Sequence, residues 1–195
     1  MKNEKIKRMT TMALLIALTV VLQLLGYFLP VRIGPFGLSF VLIPIIIGAA
    51  FYGPKAGAVL GGAFGVVVVI CCINGLDAGG FMVWQANPWL CVLIVLGKGI
   101  LAGLCAGLVH SLFRKKNGYL AMLLAAIVCP VINTGIFLAG MSLFYMDVLS
   151  AWAGGSNIAG YLLSGIVLIN FVPELLINIV FSPAGHRIVK AAKKI

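Results

Sequence analysis

The chain has 195 residues, of which 63% are hydrophobic and 9% charged, and its mean hydropathy is +1.18. A water-soluble fold of this length needs far more polar surface, so the composition excludes one and points to a polytopic membrane protein forming one domain, 1–195. The formal net charge of +10 is not a nucleic-acid signal, because the basic residues fall where membrane topology places them.

Taken in chain order, the apolar runs predict an all-α membrane protein with six transmembrane helices. They run Thr10–Leu29, Leu38–Tyr52, Lys55–Ile73, Pro88–Phe113, Tyr119–Phe144 and Ala159–Phe181. The first follows Lys2, Lys5, Lys7 and Arg8, as a signal peptide would, but it continues to Leu29 without a small-residue cleavage pattern and reads as a retained helix. The second is short for a hydrocarbon core of ~30 Å at ~1.5 Å per residue, so an irregular or partly re-entrant segment is expected there. A tail from Pro183 to Ile195, with Arg187, Lys190, Lys193 and Lys194, reads as an interfacial amphipathic helix.

An even number of spans puts both termini on one side. Twelve basic residues lie on that side (Lys2, Lys5, Lys7, Arg8, Lys55, Arg114, Lys115, Lys116 and the four of the tail), against Arg32 alone on the other. That bias makes both termini cytoplasmic. The outer segments around 30–37, 74–87 and 145–158 are rich in Gly and Pro and long enough to form a lid, whereas the inner connections are very short.

Lys98 lies between Gly97 and Gly99 within an apolar run. An ionisable side chain in hydrocarbon costs about 2.5–3.5 kcal/mol on insertion scales, so it needs a partner. Three readings are open: a structural pair with Glu174, a binding cavity in the outer half of the membrane, or snorkelling to the outer interface. Rise along straight helices places Lys98 ~8 Å below the outer boundary, Asn133 ~16 Å, Asn170 ~15 Å and Glu174 ~21 Å, which leaves Lys98 and Glu174 ~13 Å apart in depth. Asn170, Glu174 and Asn178 follow i, i+4, i+8 spacing and stripe one helix face, which cannot look at lipid with its amides unsatisfied. Interhelical hydrogen bonding and a cavity wall both explain that stripe. Pro173 and Pro130 each free a backbone carbonyl, which protein or water must take up.

In the outer segment 74–89, Trp84 and Trp89 suit an interfacial belt. With Gln85 and Asn87 beside them on a Gly-hinged stretch above Lys98, they also suit a lid over a small organic anion. Gly57, Gly61 and Gly65, and Gly99, Gly103 and Gly107, recur at helical spacing and predict close helix packing. Ala13 and Ala17 form a similar pair on the first span. The five cysteines lack metal or redox spacing and read as small packing residues. No Gly-x-x-x-x-Gly-Lys-Ser/Thr or Gly-x-Ser-x-Gly is present, and His110 and His186 pair with no nucleophile or metal cluster. Catalysis, a cofactor and a bound metal are therefore not expected, and the chain cannot hydrolyse ATP by itself.

These features together resemble a substrate-binding S component of an energy-coupling factor (ECF) vitamin transporter. The resemblance covers nearly the whole length: the basic start running into Met12–Ala17 (MALLIA), and Leu42–Gly65 (LIPIIIGAAFYGPKAGAVLGGAFG), similar to the second and third helices of the pantothenate and riboflavin branch. Pro130–Leu138 (PVINTGIFL) is most similar to pantothenate-type members, which often carry Thr-Asn-Thr there. The resemblance implies that Ala13 and Ala17 dock on a transmembrane scaffold subunit, that a vitamin binds near the outer side, and that two cytoplasmic ATPases drive its release. Joined to the residue pattern, this gives the expected site: Lys98 against the vitamin's carboxylate, Asn133 and Asn170 hydrogen-bonding its hydroxyl or amide groups, Glu174 in the same site, and Trp84, Gln85, Asn87 and Trp89 covering it. Pantothenate-type members commonly carry arginine near Lys98; lysine keeps the charge and loses the bidentate fork, which leaves another vitamin, such as riboflavin, open. Two rival readings are a stand-alone proton-coupled transporter using Glu174 as relay, and a ligand-free membrane scaffold in which Lys98 and Glu174 pair.

Overall fold

The computed structural model describes residues 2–28, 32–33, 36–37 and 40–192. Its helices are α1 (Lys2–Phe28), α2 (Leu42–Tyr52), α3 (Pro54–Ile73), α4 (Ala78–Ala86), α5 (Pro88–Phe113), α6 (Gly118–Phe144), α7 (Met146–Ala153) and α8 (Ile158–Tyr161). A π-helical stretch, Leu162–Phe171, then leads without a break into α9 (Val172–Ala192). Arg32–Ile33 and Phe36–Gly37 pair as a minimal antiparallel ladder, Arg32 opposite Gly37. Leu29, most of the first outer segment, Lys193 and Lys194 lie outside the described residues.

Among the described residues, five helical segments are long and apolar enough to cross a membrane, and the 11-residue α2 is a shorter apolar helix between two of them. Large apolar side chains such as Leu14, Leu93, Leu112, Leu143, Leu168 and Val180 stand exposed on the outer faces of these helices, as lipid contact requires. The protein is thus a multi-pass membrane bundle. Short α2 is its most enclosed element, with Leu42, Ile45 and Ala49 wholly buried; Leu60, Met122, Met141, Leu149 and Ile166 complete the interior around it.

Helix boundaries follow local chemistry. Gly53 adopts a positive φ of 87° between α2 and α3, a conformation that favours glycine, and Pro54 opens α3 where its missing N–H is harmless. Asn117 caps α6 by accepting from the Tyr119 and Leu120 N–H groups at 3.0 and 3.1 Å. The glycine stripes form the tightest seam. A Cβ at Gly57 would overlap the Gly103 carbonyl, one at Gly61 the Gly99 carbonyl, and one at Gly107 would crowd Pro54. Backbone therefore meets backbone along α3 and α5, and the seam fixes Lys98, next to Gly99, against α3.

The structure revises the expected layout in three places. Helix α1 begins at Lys2 instead of Thr10, since Lys and Arg are good helix formers and continue the turn that the apolar residues start. The outer segments 74–87 and 145–158 are not open loops: they hold α4, capped by the Asp77 side chain, and α7, which starts after Tyr145. The tail is not a separate interfacial helix as far as Ala192, because α9 runs straight through Pro183. Proline cannot donate to the Ile179 carbonyl one turn back, but the Ser182 hydroxyl donates to it at 2.8 Å and replaces the lost bond.

Candidate ligand-binding cavity

A cavity of about 120 Å³ lies among α1, α3, α5, α6 and the last helix, roofed by α4 and α7. That is room for on the order of ten water-sized molecules. Four of the polar residues singled out in the sequence line it together: Lys98 from α5, Asn133 from α6, Asn170 from the π-helical stretch and Glu174 from α9.

Lys98 does not snorkel. Its ammonium lies 4.9 Å from the Phe137 ring centroid and 5.8 Å from that of Phe64, both on the cavity wall. Such cation–π contacts are worth about 0.5–2 kcal/mol, well short of what a lysine loses by leaving water. Among the described residues no carboxylate forms an ion pair with it within 4.0 Å. Glu174, 6% exposed, and more weakly Asp77 act on it through space. The sequence-based depth difference between Lys98 and Glu174 is therefore not a separation into two sites; the two charges share one cavity without a direct pair.

Asn133 is 7% exposed, and its Oδ1 is buried with no hydrogen-bond partner. Leaving such a group unsatisfied costs about 1–3 kcal/mol, which a donor on a ligand would recover. Asn170 sits near the end of the π-helical stretch, whose wider turns make room for the ring of Pro173 just beyond it. The third member of that stripe, Asn178, faces elsewhere: it lines a small separate pocket of about 10 Å³ with Ile43, Met122 and Ser182, and its Nδ2 donates to the Glu174 carbonyl at 2.8 Å.

The roof comes from residues other than the expected ones. Helix α4 turns Ala78, Gly80 and Val83 toward the cavity, and α7 contributes Trp152, whose indole N–H donates to the Met82 sulfur at 3.3 Å. Trp84 is half-buried against the apolar interior, Gln85 is exposed, and Trp89 is 86% exposed on the first turn of α5. Asn87 caps α5 by accepting the Leu90 N–H at 3.2 Å, and its carbonyl accepts the Tyr145 hydroxyl at 2.6 Å. Burial pushes the Tyr145 phenol up to about 12, so it stays a donor at neutral pH and ties the end of α6 to the α4–α5 junction. None of Trp84, Gln85, Asn87 and Trp89 lines the cavity: Trp84 packs against the apolar interior, Asn87 serves as the cap of α5, and Gln85 and Trp89 are exposed.

Three further polar residues on the cavity wall were not singled out in the sequence. Asp77 Oδ1 accepts the Gly80 N–H at 3.0 Å as the cap of α4, while its Oδ2 accepts the Tyr27 hydroxyl at 3.3 Å. Gln23 Nε2 in turn donates to the Tyr27 oxygen at 2.9 Å. Gln23 and Tyr27 are polar residues four apart in an otherwise apolar span, a signal that marks an inward face. At the other end of the same helix, Ala13 and Ala17 are exposed on one face, flanked by exposed Leu14 and Leu18.

The family described as "ECF transporter, substrate-specific component" matches residues 7–184. The pantothenic acid transporter PanT of Lactococcus lactis subsp. cremoris (strain MG1363) is 27% identical to the chain over 195 residues, covering 94% of each. No solved structure shows a significant match. An apolar helical bundle around one small polar cavity agrees with a match that spans all but the ends of the chain. The protein belongs to the family of substrate-specific components of ECF transporters.

Proposed function

We propose that the protein captures pantothenate, or a closely related small carboxylate vitamin, at the outer side of a prokaryotic plasma membrane and delivers it inward as part of an ECF-type importer. In this reading Lys98 neutralises the ligand carboxylate, and Asn133 and Asn170 take hydrogen bonds with its hydroxyl and amide groups. Glu174 balances Lys98 while the cavity is empty. Helices α4 and α7 form the cover, with Trp84, Gln85, Asn87 and Trp89 as its outer layer. Ala13 and Ala17 dock on a transmembrane scaffold subunit, and two cytoplasmic ATPase subunits supply the energy that this chain has no motif to supply.

The observation that carries the proposal is Lys98: an ammonium on the wall of a small cavity, held by two aromatic rings and, among the described residues, by no carboxylate within 4.0 Å. A cation on the wall of an apolar bundle without an ion-pair partner among the described residues suits an anionic ligand. The 27% identity to PanT supports pantothenate as the first candidate. Thermal unfolding of the purified protein with a vitamin panel tests it. Ligand at about a hundred times Kd adds about 2.7 kcal/mol, which for a chain of this size raises the midpoint by about 5–10 °C. Pantothenate is expected to give that shift and riboflavin to give none; the reverse would assign the cavity to another vitamin.

A further inference from the structure

The Asp77–Tyr27–Gln23 chain has a direction. A carboxylate only accepts, so Asp77 Oδ2 accepts a hydrogen bond from the Tyr27 hydroxyl at 3.3 Å. The Tyr27 oxygen is then left to accept, and Gln23 must turn its NH₂ group toward it, as it does at 2.9 Å. The other end of the amide is thereby fixed as an acceptor. Gln23 is 8% exposed and lines the cavity, and its Oε1 is buried without a hydrogen-bond partner. Asn133 Oδ1, on another wall, is in the same condition. Gln23 stands on α1 and Lys98 on α5, with α3 packed against both helices, so the two residues reach the cavity from different helices.

We infer that Gln23 is a specificity-determining residue: its Oε1 accepts a hydrogen bond from a hydroxyl at the end of the ligand remote from the carboxylate, with Tyr27 and Asp77 as positioning residues that fix the amide's orientation. The inference rests on the reading of this cavity as the carboxylate-vitamin site. It narrows the ligand class to small hydroxy acids carrying a hydrogen-bond donor at both a middle and a far position. A ligand presenting a carbonyl in place of the far hydroxyl would set acceptor against acceptor and be rejected.

The test compares two probes on purified protein by calorimetry: pantothenate, and an N-acyl-β-alanine whose acyl chain has the same branching and no hydroxyls. In Gln23→Met, pantothenate affinity is expected to fall about three- to tenfold while the hydroxyl-free probe binds as it does to the unmodified protein. In Tyr27→Phe, the amide is released to rotate, so the ratio of affinities for the two probes is expected to shrink toward the Gln23→Met value. Equal losses for both probes, or an unchanged ratio in both variants, would overturn the role of Gln23 alone. Failure of the unmodified protein to bind pantothenate at all would instead overturn the reading of the cavity, and the inference with it.

Discussion

Replacing Lys98 with methionine separates a ligand-binding charge from a structural one. Methionine keeps the length and apolar stem of lysine and removes the ammonium that lies 4.9 and 5.8 Å from the Phe137 and Phe64 rings. An ammonium and a ligand carboxylate about 4 Å apart attract by about 4 kcal/mol at an effective dielectric of ~20. At 1.4 kcal/mol per decade that is roughly a thousandfold in Kd, and the desolvation of the ligand's own charge reduces it to about a hundred- to a thousandfold. The empty protein should not suffer. The lost cation–π contacts, about 0.5–2 kcal/mol, are offset by relief from holding a desolvated cation without an ion-pair partner, so the ligand-free melting midpoint stays level or rises. Calorimetric titration with pantothenate, paired with ligand-free thermal unfolding, reads both quantities. A folded variant with Kd within about threefold of the parent would refute the assignment of the carboxylate to Lys98.

Four other substitutions probe neighbouring parts. Glu174→Gln removes a negative charge that competes with the ligand for Lys98, so pantothenate should bind unchanged to about tenfold tighter, and uptake should persist when the proton gradient is dissipated; loss of uptake would favour a proton relay instead. Gly61→Val drives a side chain into the Gly99 carbonyl and should destabilise the bundle by about 1–3 kcal/mol, a fall of about 3–10 °C in melting midpoint. Gly97→Ala, where an added Cβ meets nothing within 4 Å, should be neutral or stabilise by up to ~1 kcal/mol, and equal losses in both would contradict the seam. Ala13→Trp sits on an exposed face remote from the cavity and should leave pantothenate binding intact while stopping uptake in cells; normal uptake would remove the docking role.

The long apolar spans were legible because nothing but a bilayer accommodates them, and the glycine stripes because only a close helix contact keeps that spacing. Lys98, Asn133, Asn170 and Glu174 were legible as polar residues in apolar helices, but their meeting in one cavity was not. Depth counted along straight α-helices suggested two separate sites, whereas one cavity reaches both Lys98 and Glu174, the latter just beyond the π-helical stretch Leu162–Phe171. The roof was misread for a different reason. Gly79 and Gly80 suggested a hinge, whereas Asp77 caps them into a helix, and a Cβ at Gly80 would collide with the Cys72 sulfur. Gly80 lets α4 approach α3 closely, while Trp84 packs against the apolar interior and Trp89 stands exposed on α5. Gln23 and Tyr27 escaped notice because their importance depends on Asp77, some 50 residues away in sequence, which no local pattern connects to them.

The most direct measurement is a calorimetric titration of the purified, unmodified protein with pantothenate. One molecule bound per chain with submicromolar affinity, together with pantothenate recovered by mass spectrometry from protein purified without added vitamin, is the expected result. No detectable binding of pantothenate, with a different small molecule carried through purification at one per chain, would contradict it.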